Sequence, residues 1–291
     1  MFTRITIKLA KKKVVVDRKR MELVIFSKVL KDLPMIEAVK VSDDVGYEGI
    51  ELHDCHFPAG IDPERVMELS RLSKGLKIKL VNLATFVGGF STLSESNCEG
   101  EFRKFEKYLD YANALGVPNI RLDPGRPEPE KATEEAWERA SSWIAKAADL
   151  ARPHDVSIVL EMHEGGLIAT VDSTLKLLSM IDRKNVVVNY DVGNMFHVPT
   201  DYGVGVLRKI EDYVKFVHVR DEKGRGKDGE WIYTLFGDGI LDYRPIFRRL
   251  KGIGFNGYLS AECHLEPTGR ISSSEIAVHE FGKIKELWES C

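Results

Sequence analysis

The sequence predicts a single-domain α/β protein, a closed (β/α)8 barrel, on three observations. Short apolar runs alternate with longer segments of helical period from Met21 onward. Eight such strand-and-helix units follow one another without a Pro/Ser/Gly-rich linker or a close internal repeat. Ionisable and amide side chains recur at the carboxyl ends of the otherwise apolar strands, the rim on which barrels build their sites. The 291 residues, 43% hydrophobic with 24 Gly and 11 Pro, provide a core of full size, and one such barrel takes roughly 250 residues.

The strands are expected at ELVIF (22 to 26), GIELH (49 to 53), IKLVNLA (78 to 84), NIRLD (119 to 123), SIVLEMH (157 to 163), VVVNYD (186 to 191), VKFVHVR (214 to 220) and GYLSAEC (257 to 263). Each precedes a helical pattern. Asp62 caps the helix after the second strand, Pro63 takes its first position, and Val66, Leu69 and Leu72 share one face. After the third strand, Phe102, Phe105, Leu109, Ala112 and Leu115 form a stripe that Gly116 stops. Trp137 and Trp143 fall on a helical pattern and read as outer-layer core. A doubly wound sheet is the competing fold, but GYEGIELHD opens no GxGxxG turn and no Walker loop is present. Residues 1–20 read as an N-terminal extension of uncertain structure, and residues 21–291 as the barrel.

Composition excludes several partners. Lys plus Arg is 42 and Asp plus Glu is 45, a formal charge of -3, which gives no global attraction for nucleic acid. The basic opening, MFTRITIKLAKKKVVVDRKR, has apolar runs too short for a signal or a membrane span, so no membrane partner is expected. Cys55, Cys98, Cys263 and Cys291 are widely spaced and read as reduced thiols of a cytoplasmic protein. Homo-oligomerisation is left open.

Side chains alternate along a strand, so Glu51 with His53, Arg121 with Asp123, Glu161 with His163, His218 with Arg220, and Glu262 with His264 each share a face. Asn82, Asn189 and Asp191 join them at the same rim. Singly, Glu51, His53, Asn82, Arg121 and His264 read more readily as solvated or hydrogen-bonded rim residues than as functional groups. Glu161, Asp191, His218 and Glu262 weigh differently, because they come from four consecutive strands and point inward at one height. Without a counter-ion their carboxylates would repel one another in a partly dry site. One divalent cation resolves this. Three carboxylates and an imidazole favour Mn²⁺, with Mg²⁺, Co²⁺ or Zn²⁺ as alternatives. The rival reading is an ion-pair network with Arg121 and Arg220.

The stretches GYEGIELHD, LEMHEGG, NYDVGN, VKFVHVRD and FGDGILDYRPIFRRLKGIGFNGYLSAE resemble the xylose-isomerase-like superfamily of TIM barrels (the AP endonuclease 2 superfamily), in its sugar phosphate isomerase/epimerase branch. Ketose 3-epimerases and inosose dehydratases are relatives within it. The resemblance runs from the second strand to the eighth, and its last stretch is the most specific. It implies that Glu161, Asp191, His218 and Glu262 are metal ligands and that Glu161 and Glu262 also act as acid and base. It implies too that His163 and Asp221 lie beside the ligands or touch substrate.

Departures from the pattern narrow the substrate. Asn194 stands where the epimerases usually have a histidine, with His197 three residues on, and Leu167 and Gly224 replace their acidic and arginine substrate contacts, Arg225 being adjacent to the latter. Endonuclease IV belongs to the same superfamily, but Asn82 and Asn194 replace two of its additional histidines and GRGKDGEWIY lacks its Asp-x-His pair. The expected substrate contacts are Glu51, His53, Asn82, Arg121, His163, Asn194, Arg220 and Arg225, with Lys223 and the two arginines also suited to a phosphate or carboxylate.

The expected reaction is a sugar or sugar phosphate isomerisation or epimerisation, by proton abstraction α to a carbonyl through a metal-stabilised enediolate. The runner-up is an inosose-dehydratase-type lyase, which shares that first step, and the third reading is a non-catalytic sugar-binding barrel. DEKGRGKDGEW reads as a mobile lid or simply as a solvated loop. Phe86, Phe196, Trp231 and Phe236 read as a cover over the sugar or as ordinary loop packing.

Overall fold

In the computed structural model, which describes residues 20–198, 202–268 and 270–291, the eight apolar runs become β1 (Glu22–Phe26), β2 (Gly49–His53), β3 (Lys79–Gly88), β4 (Asn119–Asp123), β5 (Ser157–Glu161), β6 (Val186–Asp191), β7 (Val214–Val219) and β10 (Tyr258–Ala261). They pair in parallel in that order, and β10 returns to β1 to close the barrel. Between β7 and β10, β8 (Asp221–Arg225) and β9 (Trp231–Thr234) form a separate antiparallel hairpin. The helices are α1 (Met35–Val45), α2 (Pro63–Ser73), α3 (Glu95–Leu115), α4 (Glu134–Ala151), α5 (Val171–Ile181), the short α6 (Val192–Phe196), α7 (Val204–Ile210), α8 (Arg244–Gly252) and α9 (Ser273–Ser290). Among the described residues no helix is long and apolar enough to cross a membrane.

The local signals act as the sequence predicts. The Asp62 carboxylate accepts the Glu64 amide at 2.9 Å with Pro63 in the first helical position, and Gly116 ends α3 at φ 68°. Phe102, Phe105, Leu109 and Ala112 are buried along α3, and Trp137 and Trp143 along α4. These stripes join one large core between the strands and the surrounding helices.

A second, smaller apolar cluster comprises Val24, Val81, Val159 and Phe216, one each from β1, β3, β5 and β7. Four side chains from alternate strands make one layer of a filled barrel interior. Two residues further along, on the same faces, β5 presents Glu161 and β7 presents His218. The apolar layer is therefore the floor on which the polar groups stand.

Strand ends differ from the sequence reading in several places, β7 closing at Val219 and β10 spanning Tyr258–Ala261, and three differences bear on the site. The third strand runs on to Gly88, where φ is 138° and an added Cβ would lie 2.0 Å from the Asp123 carbonyl oxygen, so only glycine lets β3 and β4 approach. The fifth strand stops at Glu161, with Met162 still donating its amide to Asn189 O at 3.1 Å. The segment read as a lid or loop after the seventh strand is instead the hairpin of β8 and β9, because Gly224, Gly226 and Gly229 allow the chain to reverse while Glu222 pairs with Tyr233. The extension expected over residues 1–20 lies outside the described residues except for Arg20, which pairs with Glu48.

Candidate metal centre

Glu161, Asp191 and His218 stand at the carboxyl ends of β5, β6 and β7, and Glu262 follows β10, its amide still bonded to Val219 O at 2.9 Å. Each offers a ligand atom, and the four atoms lie within 4.8 Å of one another. His218 Nδ1 faces Glu262 Oε2 at 3.0 Å and Glu161 Oε1 at 3.1 Å. The four residues that the sequence placed at one height are thus brought together.

Each carboxylate is held from outside the cluster. Arg121 donates to Glu161 Oε2 at 2.7 Å, and Asn189 Nδ2 to Glu161 Oε1 at 2.9 Å. Asp191 accepts the Asn194 amide and side chain, both at 2.8 Å, and Arg220 at 3.3 Å. His264 Nε2 lies 3.2 Å from Glu262 Oε1, and Arg220 lies 3.6 Å from its other oxygen. The ion-pair network and the candidate ligand set are therefore built from the same residues.

The electrostatics separate the acids. Burial raises Glu161, but Arg121 and His218 outweigh it and hold it down at about 2; burial likewise raises Glu262, but His218 and His264 outweigh it and hold it well below the usual carboxylate range. Asp191 goes the other way. Burial, with Glu262 and Glu161, pushes it up to about 7 against the pull of Arg220. His218 is lowered by burial, yet Glu51 and Glu262 lift it well above its usual range. Carboxylates that raise one another around an imidazole they charge form a set that a bound cation would relieve, taking the place of the proton on one ring nitrogen.

The expected substrate contacts divide. Arg121 is buried, bonded to Thr85 O, and lies over the rings of Phe26 and Phe86. With Phe86, Arg126, Glu161 and His163 it lines a cavity of about 160 Å³ at the mouth. His163 is exposed, because the strand ended before it; its Nδ1–H donates to Glu164 O at 2.6 Å. His53 is buried edge-on to Phe26 and Phe86, and burial with Arg121 lowers it to about 3.

Glu51 and Asn82 are placed beneath His218 and away from the mouth, each 1% exposed, since the barrel turns their strand face inward below the rim. Asn194 and Arg220 are buried and occupied by Asp191 and by each other at 2.9 Å. Arg225 is not brought to the cluster: it lies exposed on the hairpin, bonded to Gly229 O and stacked over Trp231. Asp221 holds the following loop, accepting the amides of Glu222, Gly237, Gly239 and Leu241.

Sequence reasoning missed a second polar knot on the rim. His197 follows α6 with Nε2 2.9 Å from both oxygens of Glu222 and Nδ1 against Glu164, while its ring stacks on Trp231 at 4.0 Å. The connections after β5, β6 and β7 are thereby tied together, with Tyr233 against His264 and Arg220. Its only sequence signal was a histidine six residues after Asp191.

Comparison with known proteins agrees with this architecture. The Geobacillus kaustophilus inosose dehydratase is 24% identical over 213 residues, 64% of this chain and 69% of its own. That of Lacticaseibacillus casei is 22% identical over 262 residues, 81% and 84%. Among solved structures, the IOLI protein with a binding zinc atom superposes with a TM-score of 0.79 at 18% identity, over 93% of this chain and 99% of that one. An L-ribulose 3-epimerase gives 0.76 at 18% identity, over 93% and 95%. The family model described as xylose isomerase-like TIM barrel matches residues 39–287, and the chain belongs to that family.

Proposed function

We propose that the protein is a divalent-metal-dependent enzyme that removes a proton α to a carbonyl of a small polyhydroxylated substrate, and that loss of a β-hydroxyl completes the reaction, as in an inosose dehydratase. The carrying observation is that Glu161 and Glu262 meet at His218 Nδ1, at 3.1 and 3.0 Å, each tethered by its own cationic or imidazole partner. Both are held ionised, so either can accept the α-proton and, once protonated, deliver it to the departing hydroxyl, which leaves as water.

Glu161, Asp191, His218 and Glu262 would hold the ion, with Mn²⁺ favoured by their mainly oxygen donors. When bound it supplies Lewis acidity towards the substrate's oxygens. Arg121 fixes the carboxylate plane of Glu161, Arg220 and Asn194 fix Asp191, and Phe86 walls the mouth. His163, exposed and lining the same cavity, presents an imidazole edge to a substrate seated there.

Elimination takes precedence over epimerisation because the relatives by sequence are named inosose dehydratases. Leu167, where an epimerase has an acidic contact, is fully buried and offers no polar group. The likeness in shape to the L-ribulose 3-epimerase keeps epimerisation as the second reading.

The test is elemental analysis after Mn²⁺ loading of the wild type and Glu262→Gln, followed by incubation with inososes, ketoses and sugar phosphates in D₂O. About one ion per chain, weakened in the variant, and a product lighter by one water support the lyase. Deuterium in recovered isomer without loss of mass supports the epimerase instead. A wild-type chain that takes up no ion sinks both and favours a sugar-binding barrel.

A further inference from the structure

His218 is fully buried with a carboxylate at each ring nitrogen. Nδ1 faces Glu161 and Glu262, and Nε2 faces Glu51 Oε1 at 2.9 Å. Only one nitrogen can offer a lone pair to an ion, and the remaining partners of Glu51 decide which. Asn82 Nδ2 donates to Glu51 Oε2 at 2.8 Å, and the Ser260 hydroxyl donates to Glu51 Oε1. Glu51 is 1% exposed, and the charge-bearing partner bonded to it is His218. Such a carboxylate is satisfied as an anion when all three neighbours donate, which requires the proton of His218 on Nε2.

We infer that Glu51 is a positioning residue: its buried carboxylate, held by Asn82 and Ser260, keeps the His218 proton on Nε2 and commits Nδ1 to the metal. This rests on the metal reading above and adds to it a residue outside the four donors. The ring's orientation is set by the same contact, because Nε2–H has one acceptor direction. Partners of this kind on ligating histidines typically govern metal affinity by about 10- to 100-fold.

A filler of the barrel interior would behave differently. Val24 lies in the apolar layer below, in a cluster with Val81, Val159 and Phe216. Its truncation opens a void and lowers the melting temperature without touching His218. Glu51→Gln keeps the volume and loses the charge. Glu51→Ala removes the acceptor altogether.

The experiment titrates Mn²⁺ into the full chain by calorimetry for the wild type, Glu51→Gln, Glu51→Ala and Val24→Ala, with melting temperatures measured alongside. On the Zn²⁺-loaded proteins, ¹⁵N-edited spectra report the His218 Nε2–H proton. Expected is a loss of affinity of about 10-fold or more in Glu51→Gln, a larger one in Glu51→Ala, and none in Val24→Ala despite its lower melting temperature. The Nε2–H signal, slow to exchange in the wild type, should be lost in Glu51→Ala. Should Glu51→Ala not fold, Glu51→Gln decides. Tight wild-type binding with unchanged affinity in Glu51→Gln overturns the positioning role alone, whereas no Mn²⁺ uptake by the wild type overturns the metal reading together with it.

Discussion

Replacing Glu280 by Gln should make the protein more stable at high pH and leave it little changed at low pH. Glu280 lies fully buried on α9, where it accepts the Phe236 amide at 2.9 Å and has the Cys263 thiol beside it. Burial, reinforced by Asp221 and Asp238, pushes its carboxyl from 4.5 up to about 8. Below pH 4.5 the group is protonated in the folded and the unfolded chain alike, and no cost arises. Between 4.5 and 8 the unfolded chain releases the proton that the folded chain keeps, so stability falls as pH rises, and beyond 8 the loss is constant. At about 1.4 kcal/mol per pH unit, the loss reaches roughly 5 kcal/mol by the end of that interval. Gln keeps the acceptor for Phe236 and cannot ionise. Urea unfolding of both proteins from about pH 5 to about pH 9 isolates the difference, since other titrating groups act on both alike. A gap that stays constant over this range would refute the reasoning.

Two further perturbations follow from the same physics. His197→Gln leaves Glu222 buried beside a neutral partner, a cost of roughly 3–5 kcal/mol taken up locally, so hydrogen exchange in residues 221–234 should quicken at least tenfold while β2 and β4 stay protected. Burial lowers His197, but Glu164 and Glu222 outweigh it and raise its pKa above 6.5; the contribution of this knot is therefore complete below pH 6.5 and fades as pH climbs through the raised value, which exchange rates against pH will show. Gly88→Ala forces a Cβ against the Asp123 carbonyl at a positive φ and should cost roughly 2–4 kcal/mol, read as a lower melting temperature.

The barrel was legible because its strands are buried on both faces and its helices on one, so apolar runs and 3.6-residue stripes survive in one-dimensional form. The four candidate ligands were legible for a related reason: each ends an apolar strand, and consecutive strands are neighbours. Alternation failed at His163, since it holds only while the chain stays extended and β5 ends at Glu161. It gave the right face for Glu51 but not its depth, which depends on how the barrel interior is filled. The hairpin was hidden by a composition too polar and glycine-rich to resemble a strand. Glu222, His197 and Glu164 carried no signal together because they lie on three separate connections, and only closure of the barrel makes them neighbours.

That knot makes the rim lopsided. Across the arc from β5 to β7 the connections are locked by His197, Glu222 and Glu164, whereas between β2 and β4 Phe86 is left 62% exposed and Arg126 reaches no further than Gly165 O. On the proposed function, a substrate would therefore reach Glu161 and Glu262 from that looser side, over Phe86 and past Arg126, which line the cavity at the mouth. Rings of different girth could be admitted by exchanging those two side chains while the chemistry behind them stayed as it is.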